Sequence, residues 1–181
     1  MDLCTGSGAI GISIAKYVDN CEVTLTDISN EALKIATQNC INILETTICH
    51  QQNTEKKDKN NKIQILQSDL FKKFDEKNKF DIIVSNPPYI RTDVIKKLDK
   101  EVQKEPMIAL DGGKDGLKFY KKIIEEAYKF LNPNGYLCLE VGYDQKEEVI
   151  DLIEETKRYT NIYSKKDLAG NDRIVICEKE N

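Results

Sequence analysis

The stretch Asn86-Pro87-Pro88-Tyr89 ends an apolar run, F-D-I-I-V-S, and its residue types could grip a planar NH2 group. Neither proline has an N–H and both fix φ, so the segment is a stiff wall presenting carbonyl oxygens and the Asn86 side chain. The Asn86 side-chain oxygen and the Pro87 carbonyl can each accept one hydrogen, while the Tyr89 ring packs on a flat amide or base. An amide nitrogen is a poor nucleophile because its lone pair is delocalised. Holding both hydrogens aims that lone pair at an incoming methyl group and weakens the resonance as charge develops on nitrogen. The implied chemistry is a direct in-line displacement that needs no covalent intermediate and no metal. Asn86, Pro87 and Tyr89 are then the catalytic candidates, and Asn86, Pro87, Pro88 and Tyr89 the substrate-binding ones.

A second constellation lies at the amino end. Cys4-Thr5-Gly6-Ser7-Gly8 follows the short stretch Met1 to Leu3 and precedes Ile10, Ile14 and Tyr17 at helical spacing. Read with Gly11 it fits G-x-G-x-x-G, and Asp27, 21 residues after Gly6, ends the next strand, where a carboxylate can accept ribose hydroxyls. This is the arrangement of a nucleoside cofactor site. NAD would set a pyrophosphate on the helix N-terminus. S-adenosylmethionine has no phosphate and carries a sulfonium and an ammonium, which suit the acidic Asp2 just upstream. Asp69, after the following strand, could meet an adenine amino group, with Leu70 and Phe71 walling the ring.

Elements of matching period can position both sets. Residues 22–26, 62–67, 80–85 and 136–141 read as short apolar strands. Between them, Ala32, Ala36, Cys40 and Ile43 recur at helical spacing behind a capping Ser29, as do Leu117, Tyr120, Ile124, Ala127 and Leu131. Val149, Leu152 and Ile153 mark another helix. Alternation of this kind defines an α/β class with a mostly parallel sheet. Residues 161–164 and 173–178 are joined by a connection too short for a crossover helix, so one strand near the C-terminus should run antiparallel. In an open parallel sheet ligands bind beyond the carboxyl ends of the strands, which is where residues 86 to 89 fall. The polar segment 50–62 is expected to be a mobile surface loop.

The whole chain sets the outer limits. With 181 residues, 40% hydrophobic and 32% charged, it is expected to be one globular domain spanning 1–181. No run approaches the ~20 apolar residues that span a bilayer, and no secretion signal is visible, so a cytoplasmic address is expected and no membrane partner. The six cysteines show neither a C-x-x-C pair nor disulfide-like clustering and are expected to be reduced and mostly buried. Cys49 beside His50, the only histidine, makes a poor tetrahedral site, so no metal is expected. A net charge of −4 argues against affinity that comes mainly from wrapping nucleic acid.

The motifs D-L-C-T-G-S-G-A-I-G, S-D-L-F, F-D-I-I-V-S-N-P-P-Y-I, E-P-M-I-A-L-D-G-G-K-D-G-L, L-E-V-G-Y-D-Q and D-L-A-G-N-D-R together resemble the peptide chain release factor glutamine methyltransferases. The resemblance covers nearly all of the chain. It implies a Rossmann-like class I S-adenosylmethionine-dependent methyltransferase fold. It also implies methylation of the glutamine amide in the Gly-Gly-Gln tip of class I release factors, with S-adenosylhomocysteine as the other product. Carried over by position, Cys4, Thr5, Gly6, Ser7, Gly8, Asp27, Ile28, Leu70 and Asn86 would contact the cofactor, beside Asp2 and Asp69. Cys4 stands where the fuller pattern has glycine, and Leu70 where many relatives have an aromatic residue. Family members also carry a helical amino-terminal domain and a full first strand, so this chain is expected to be a truncated form. The alternative substrate is an adenine or cytosine amino group in nucleic acid. N-P-P-Y is shared with such enzymes, but no concentrated basic stretch accompanies it here beyond the lysines of 50–62. A nicotinamide dehydrogenase is a more distant alternative.

Overall fold

The computed structural model describes residues 1–44, 48–49, 53–56 and 61–181. They divide into two compact units, Met1–Asp75 and Glu76–Asn181.

The first unit runs β1 (Asp2–Leu3), α1 (Ala9–Tyr17), β2 (Glu22–Asp27), α2 (Asn30–Leu44), β3 (Ile48–Cys49), β4 (Asn53–Lys56) and β5 (Asn61–Gln67). β1, β2 and β5 are parallel, with Leu3 opposite Thr26 and Asp27 opposite Gln67. Alternation along β5 buries Ile63 and Ile65 against Val23, Leu25, Ile12, Ala15, Leu33 and Cys40. The helices are where the spacing puts them; the buried stripe of α1 is offset, while that of α2 holds the expected Ala36 and Cys40 and shifts only at its ends. α1 buries Gly11, Ile12 and Ala15, and Tyr17 is exposed. α2 buries Leu33, Ala36, Cys40 and Leu44, with Ile43 exposed and the Ser29 hydroxyl accepting the Ala32 N–H as a cap. In a segment with apolar residues on several sides, period alone leaves the phase of the stripe open.

The polar segment 50–62 is not a loop throughout. Residues 53–56 pair antiparallel with β5, from Asn53 opposite Gln64 to Lys56 opposite Asn61, and β3 pairs with β4. A ladder uses backbone groups, which a polar sequence possesses as fully as an apolar one. Asn61 is buried, accepts the Cys21 N–H at 2.9 Å and donates to the carbonyls of Ala15 and Val18 at 2.7 Å, tying the end of α1 to β5. Residues 50–52 and 57–60, with His50, lie outside the described residues.

The second unit runs β6 (Phe80–Ser85), α3 (Thr92–Ile95), a 3-10 turn (Val102–Lys104), α4 (Met107–Leu110), α5 (Lys118–Phe130), β7 (Leu131–Glu140), α6 (Lys146–Thr156), β8 (Tyr159–Lys166) and β9 (Asp172–Lys179). β6 and β7 are parallel, while β9 is antiparallel to both β7 and β8. The reversed C-terminal strand of the sequence reading is therefore β9. One face, carrying Ile83, Leu137, Leu139, Val175 and Cys177, is fully buried, and α5 and α6 supply Tyr120, Ile123, Ile124, Ala127, Val149 and Ile153 to the core. The other face is open: Ile82 is 49% exposed beside its cross-strand neighbour Tyr136, and Val84, Cys138 and Ile176 form the next row, half-buried. Ile83→Ala is thus expected to cost about 3 kcal/mol and Ile82→Ala under about 1 kcal/mol, read as shifts of the guanidinium unfolding midpoint. Equal shifts would show the faces to be assigned wrongly.

Among the cysteines whose side chains are described, Cys40 and Cys177 are buried and Cys4, Cys21 and Cys138 are half-buried. No described helix is long and apolar enough to cross a membrane.

Candidate functional site

In the first unit the loops after β1, β2 and β5 meet at the carboxyl ends of those strands. The Thr5 N–H donates to the Thr26 carbonyl at 2.8 Å and the Ser68 N–H to the Asp27 carbonyl at 2.9 Å, which fixes the spacing of all three. The loop Cys4–Gly8 is possible because the backbone turns left-handed three times, at Cys4 (φ 59°), Gly6 (φ 55°) and Gly8 (φ 84°). A Cβ built on Gly6 would meet nothing within 4 Å, so this stretch of main chain borders open space. A Cβ on Gly11 would lie 2.9 Å from Leu25 Cγ and 3.0 Å from Asp2 Oδ2, so the third glycine of the motif serves helix-to-strand packing. Cys4 occupies a conformation that costs an L-residue ~1–2 kcal/mol.

Asp2 is 1% exposed. Its Oδ2 accepts the Thr5 hydroxyl at 2.5 Å and the Gly11 N–H at 2.8 Å, whereas Oδ1 is buried with no hydrogen-bond partner among the described residues. Burial holds the carboxyl above its ordinary value, against the opposing pull of the Thr5 and Gly11 bonds. Asp27 accepts the Gly6 N–H at 2.9 Å on Oδ2 and the Ser29 N–H at 2.8 Å on Oδ1. Those bonds orient the carboxylate and use two of its roughly four lone-pair sites. Ile28 is exposed, its carbonyl accepting from Gln67 Nε2 at 2.9 Å, and the Ser7 carbonyl accepts from Asn39 Nδ2 at 2.9 Å.

Asp69 Oδ2 pairs with Lys72 Nζ at 2.5 Å in an exposed ion pair, a contact worth at most ~1 kcal/mol and open to competition from another donor. Leu70 turns left-handed at φ 50°, with its carbonyl accepting the Ser68 hydroxyl at 2.6 Å. Leu70 and Phe71, the expected walls for an adenine ring, are 7% and 2% exposed, so Phe71 belongs to the core.

In the second unit Asn86 follows the carboxyl end of β6 and is exposed, and no hydrogen bond ties its side chain to another described residue. Pro87 and Pro88 are buried and Tyr89 half-buried. The next residues are laced to the glycine-rich segment. Ile90 N–H donates to Leu110 at 3.0 Å, Gly112 N–H returns to Ile90 at 2.9 Å, and Thr92 N–H donates to Gly113 at 3.0 Å. Asp111 Oδ1 accepts the Thr92 hydroxyl at 2.7 Å and the Gly113 N–H at 2.9 Å, which hold its carboxyl below the usual range. A Cβ on Gly112 would lie 2.7 Å from Tyr89 Cα, and one on Gly116 2.5 Å from the Tyr89 carbonyl oxygen. The E-P-M-I-A-L-D-G-G-K-D-G-L segment is therefore the brace of the N-P-P-Y wall. Burial, with Glu140 nearby, raises the Tyr89 hydroxyl above its ordinary value, and the positive charge of Arg173 opposes the shift. Arg173 is itself held by Asp167 Oδ2 at 3.2 Å.

Sequence reasoning named no role for Gly112, Gly116, Gln145 or Arg173. The crowding of glycines at 112, 113 and 116 was the available signal, since such runs mark close backbone approach. Gln145 and Arg173 had no local signal beyond membership of quoted motifs.

The fold is that of the class I S-adenosylmethionine-dependent methyltransferases. The family model described as Eco57I restriction-modification methylase matches residues 13–141, and the chain belongs to that methylase family. Its particular likeness, over nearly the whole chain, is to proteins named release factor glutamine methyltransferase. That of Clostridium acetobutylicum is 42% identical over 178 residues, 97% of this chain and 57% of the relative. That of Clostridium botulinum is 39% identical over 180 residues, 98% of this chain and 58% of the relative. The chain thus spans a little over half the length of these curated relatives. Among solved structures, a methyltransferase from Pyrococcus furiosus matches with a TM-score of 0.65 at 25% identity, covering 99% of this chain and 74% of that one.

Proposed function

We propose that the chain transfers a methyl group from S-adenosylmethionine to the side-chain amide nitrogen of the glutamine in the Gly-Gly-Gln motif of class I peptide chain release factors. The observation that carries the reading is the wall at 86–89: two buried prolines, an exposed Asn86 side chain bonded to no other described residue, and a Tyr89 backbone braced from behind. The relatives are named for the same acceptor.

The first unit fits the donor. Asp2 Oδ1 is a buried acceptor with no partner among the described residues, which suits an ammonium-bearing ligand, and the main chain at Gly6 faces open space. No lysine or arginine stands in residues 2–11 to meet a phosphate. Asp2, the backbone of Cys4–Gly8, the free lone pairs of Asp27, and Ile28, Asp69 and Leu70 would hold the cofactor. When bound, S-adenosylmethionine supplies an electrophilic methyl on a positive sulfur and departs as S-adenosylhomocysteine. In the second unit Asn86 Oδ1 and the Pro87 carbonyl accept the two amide hydrogens and so hold the nitrogen's lone pair in one direction. The Tyr89 ring packs on the amide plane. As the nitrogen gains positive charge both acceptors bind its hydrogens more strongly, which stabilises the transition state more than the ground state. The surplus proton leaves to solvent.

The test is incubation with labelled S-adenosylmethionine and either a purified class I release factor or DNA. Label is expected in the glutamine of the Gly-Gly-Gln peptide. An amino group of DNA is the second reading, favoured by the name of the matched family, and label in DNA alone would establish it instead.

Asp2 supplies an independent check. Because its folded-state pKa is raised, the fold prefers the protonated acid. That contribution to stability is complete below the unfolded-chain value of about 4 and is lost as pH rises through the folded value. Asp2→Asn keeps an acceptor for Thr5 and Gly11 and removes the buried charge. Its melting temperature at pH 7 is expected to equal or exceed that of the parent, while calorimetry shows S-adenosylmethionine binding about tenfold weaker or worse. Unchanged binding would remove Asp2 from the cofactor site.

A further inference from the structure

We propose that Gln145, outside the N-P-P-Y segment, is the positioning residue that sets the Tyr89 peptide group and thereby aligns the acceptor wall; the inference rests on the methyl-transfer reading above. Gln145 sits at the position before α6, where a short side chain usually caps the first N–H groups of the helix. It makes no such cap. Its amide is instead 2% exposed, with Nε2 donating to the Tyr89 carbonyl at 3.0 Å and Oε1 accepting the Gly142 N–H at 3.1 Å.

The two partners fix which end of the amide faces which. A backbone N–H can only donate and a carbonyl can only accept, so the oxygen must face Gly142 and the nitrogen must face Tyr89. Glycines make room for this arrangement. A Cβ on Gly142 would lie 2.6 Å from Gln145 Oε1, and one on Gly116 2.4 Å from Nε2. On one side of Tyr89 are the rigid prolines, and on the other is Ile90, laced to Leu110 and Gly112. The Tyr89 peptide group is the joint of that assembly. Gln145 holds it from 56 residues away, and a shift at this joint would move the Tyr89 ring and the Pro87 carbonyl together.

Gln145→Glu is the decisive variant, because it is isosteric, keeps an acceptor for Gly142 and turns a carboxylate oxygen toward the Tyr89 carbonyl. Gln145→Met, of similar length with no strong donor or acceptor, is its companion. Three readouts are taken on the full chain: steady-state methylation of a release factor, calorimetric binding of S-adenosylmethionine, and backbone amide hydrogen exchange. For Gln145→Glu, kcat is expected to fall about 100-fold with cofactor affinity within about twofold of the parent, and Gln145→Met to fall less. Exchange should accelerate at Ile90 and Gly112 and stay unchanged in α1 and β2. Parent-like kcat and exchange in both variants would overturn the proposal. So would parallel losses of cofactor binding and of protection throughout the chain, which mark a merely structural role. If the parent chain fails to methylate any release factor, the functional reading falls, and exchange at Ile90 and Gly112 still decides whether Gln145 sets the Tyr89 backbone.

Discussion

Asn86→Ala is expected to lower the rate of glutamine methylation by about 100- to 1000-fold, the loss typical when one preorganised partner of a developing charge is removed. Its stability should change by less than about 0.5 kcal/mol, because the side chain is exposed and bonds to no other described residue. The pairing of a large kinetic effect with an absent thermodynamic one is the distinctive outcome. Alanine keeps the two prolines and the Tyr89 ring, so the release factor should still bind, and the loss should fall on kcat more than on KM. Single-turnover methylation with excess enzyme measures the chemical step directly. A rate within about threefold of the parent would remove Asn86 from the acceptor array, because no remaining group could replace its oxygen.

Gly116→Ala is expected to destabilise the chain by about 3 kcal/mol and to abolish most activity, for two additive reasons. Gly116 adopts φ +75°, a left-handed conformation that penalises any side chain. The added methyl would also lie 2.4 Å from Gln145 Nε2 and 2.5 Å from the Tyr89 carbonyl oxygen, one a buried amide and the other main chain. Neither can yield without breaking the bond between them. Gly170→Ala separates the two costs, since Gly170 has φ +88° with nothing within 4 Å of a built Cβ. It should lose only the conformational part, ~1–2 kcal/mol. Comparing melting temperatures of the two variants isolates the packing contribution. Equal losses would mean that the brace behind Tyr89 tolerates a methyl group.

Much of this was legible in the linear chain. Residues 80–85 form the strand read from their apolar run, and the parallel pairing of β2 with β5 follows from the alternation of strands and helices. The glycine loop and the prolines of 87 and 88 were legible for a different reason: each restricts or frees its own backbone whatever surrounds it. Where apolar residues occurred on more than one side of a helix, as at Ile10, Ile14 and Tyr17, period identified the element and not its buried face. Residues 53–56 failed as a loop because composition reports how side chains are solvated, while strand pairing is a contract among backbone groups.

What the sequence by itself determined was local and additive: an α/β chain, a glycine turn ending in an acid-bearing strand, and a rigid run of acceptors after β6. Those properties belong to single residues and their near neighbours. Only the tertiary structure decided that Asp2 is buried with one oxygen bonded to no other described residue, that Asp69 is engaged by Lys72, and that Gln145 bonds to Tyr89. Such facts depend on which distant groups packing brings within about 3 Å, and a hydrogen bond's strength falls steeply with distance and angle. Spacing along a chain carries no information at that scale.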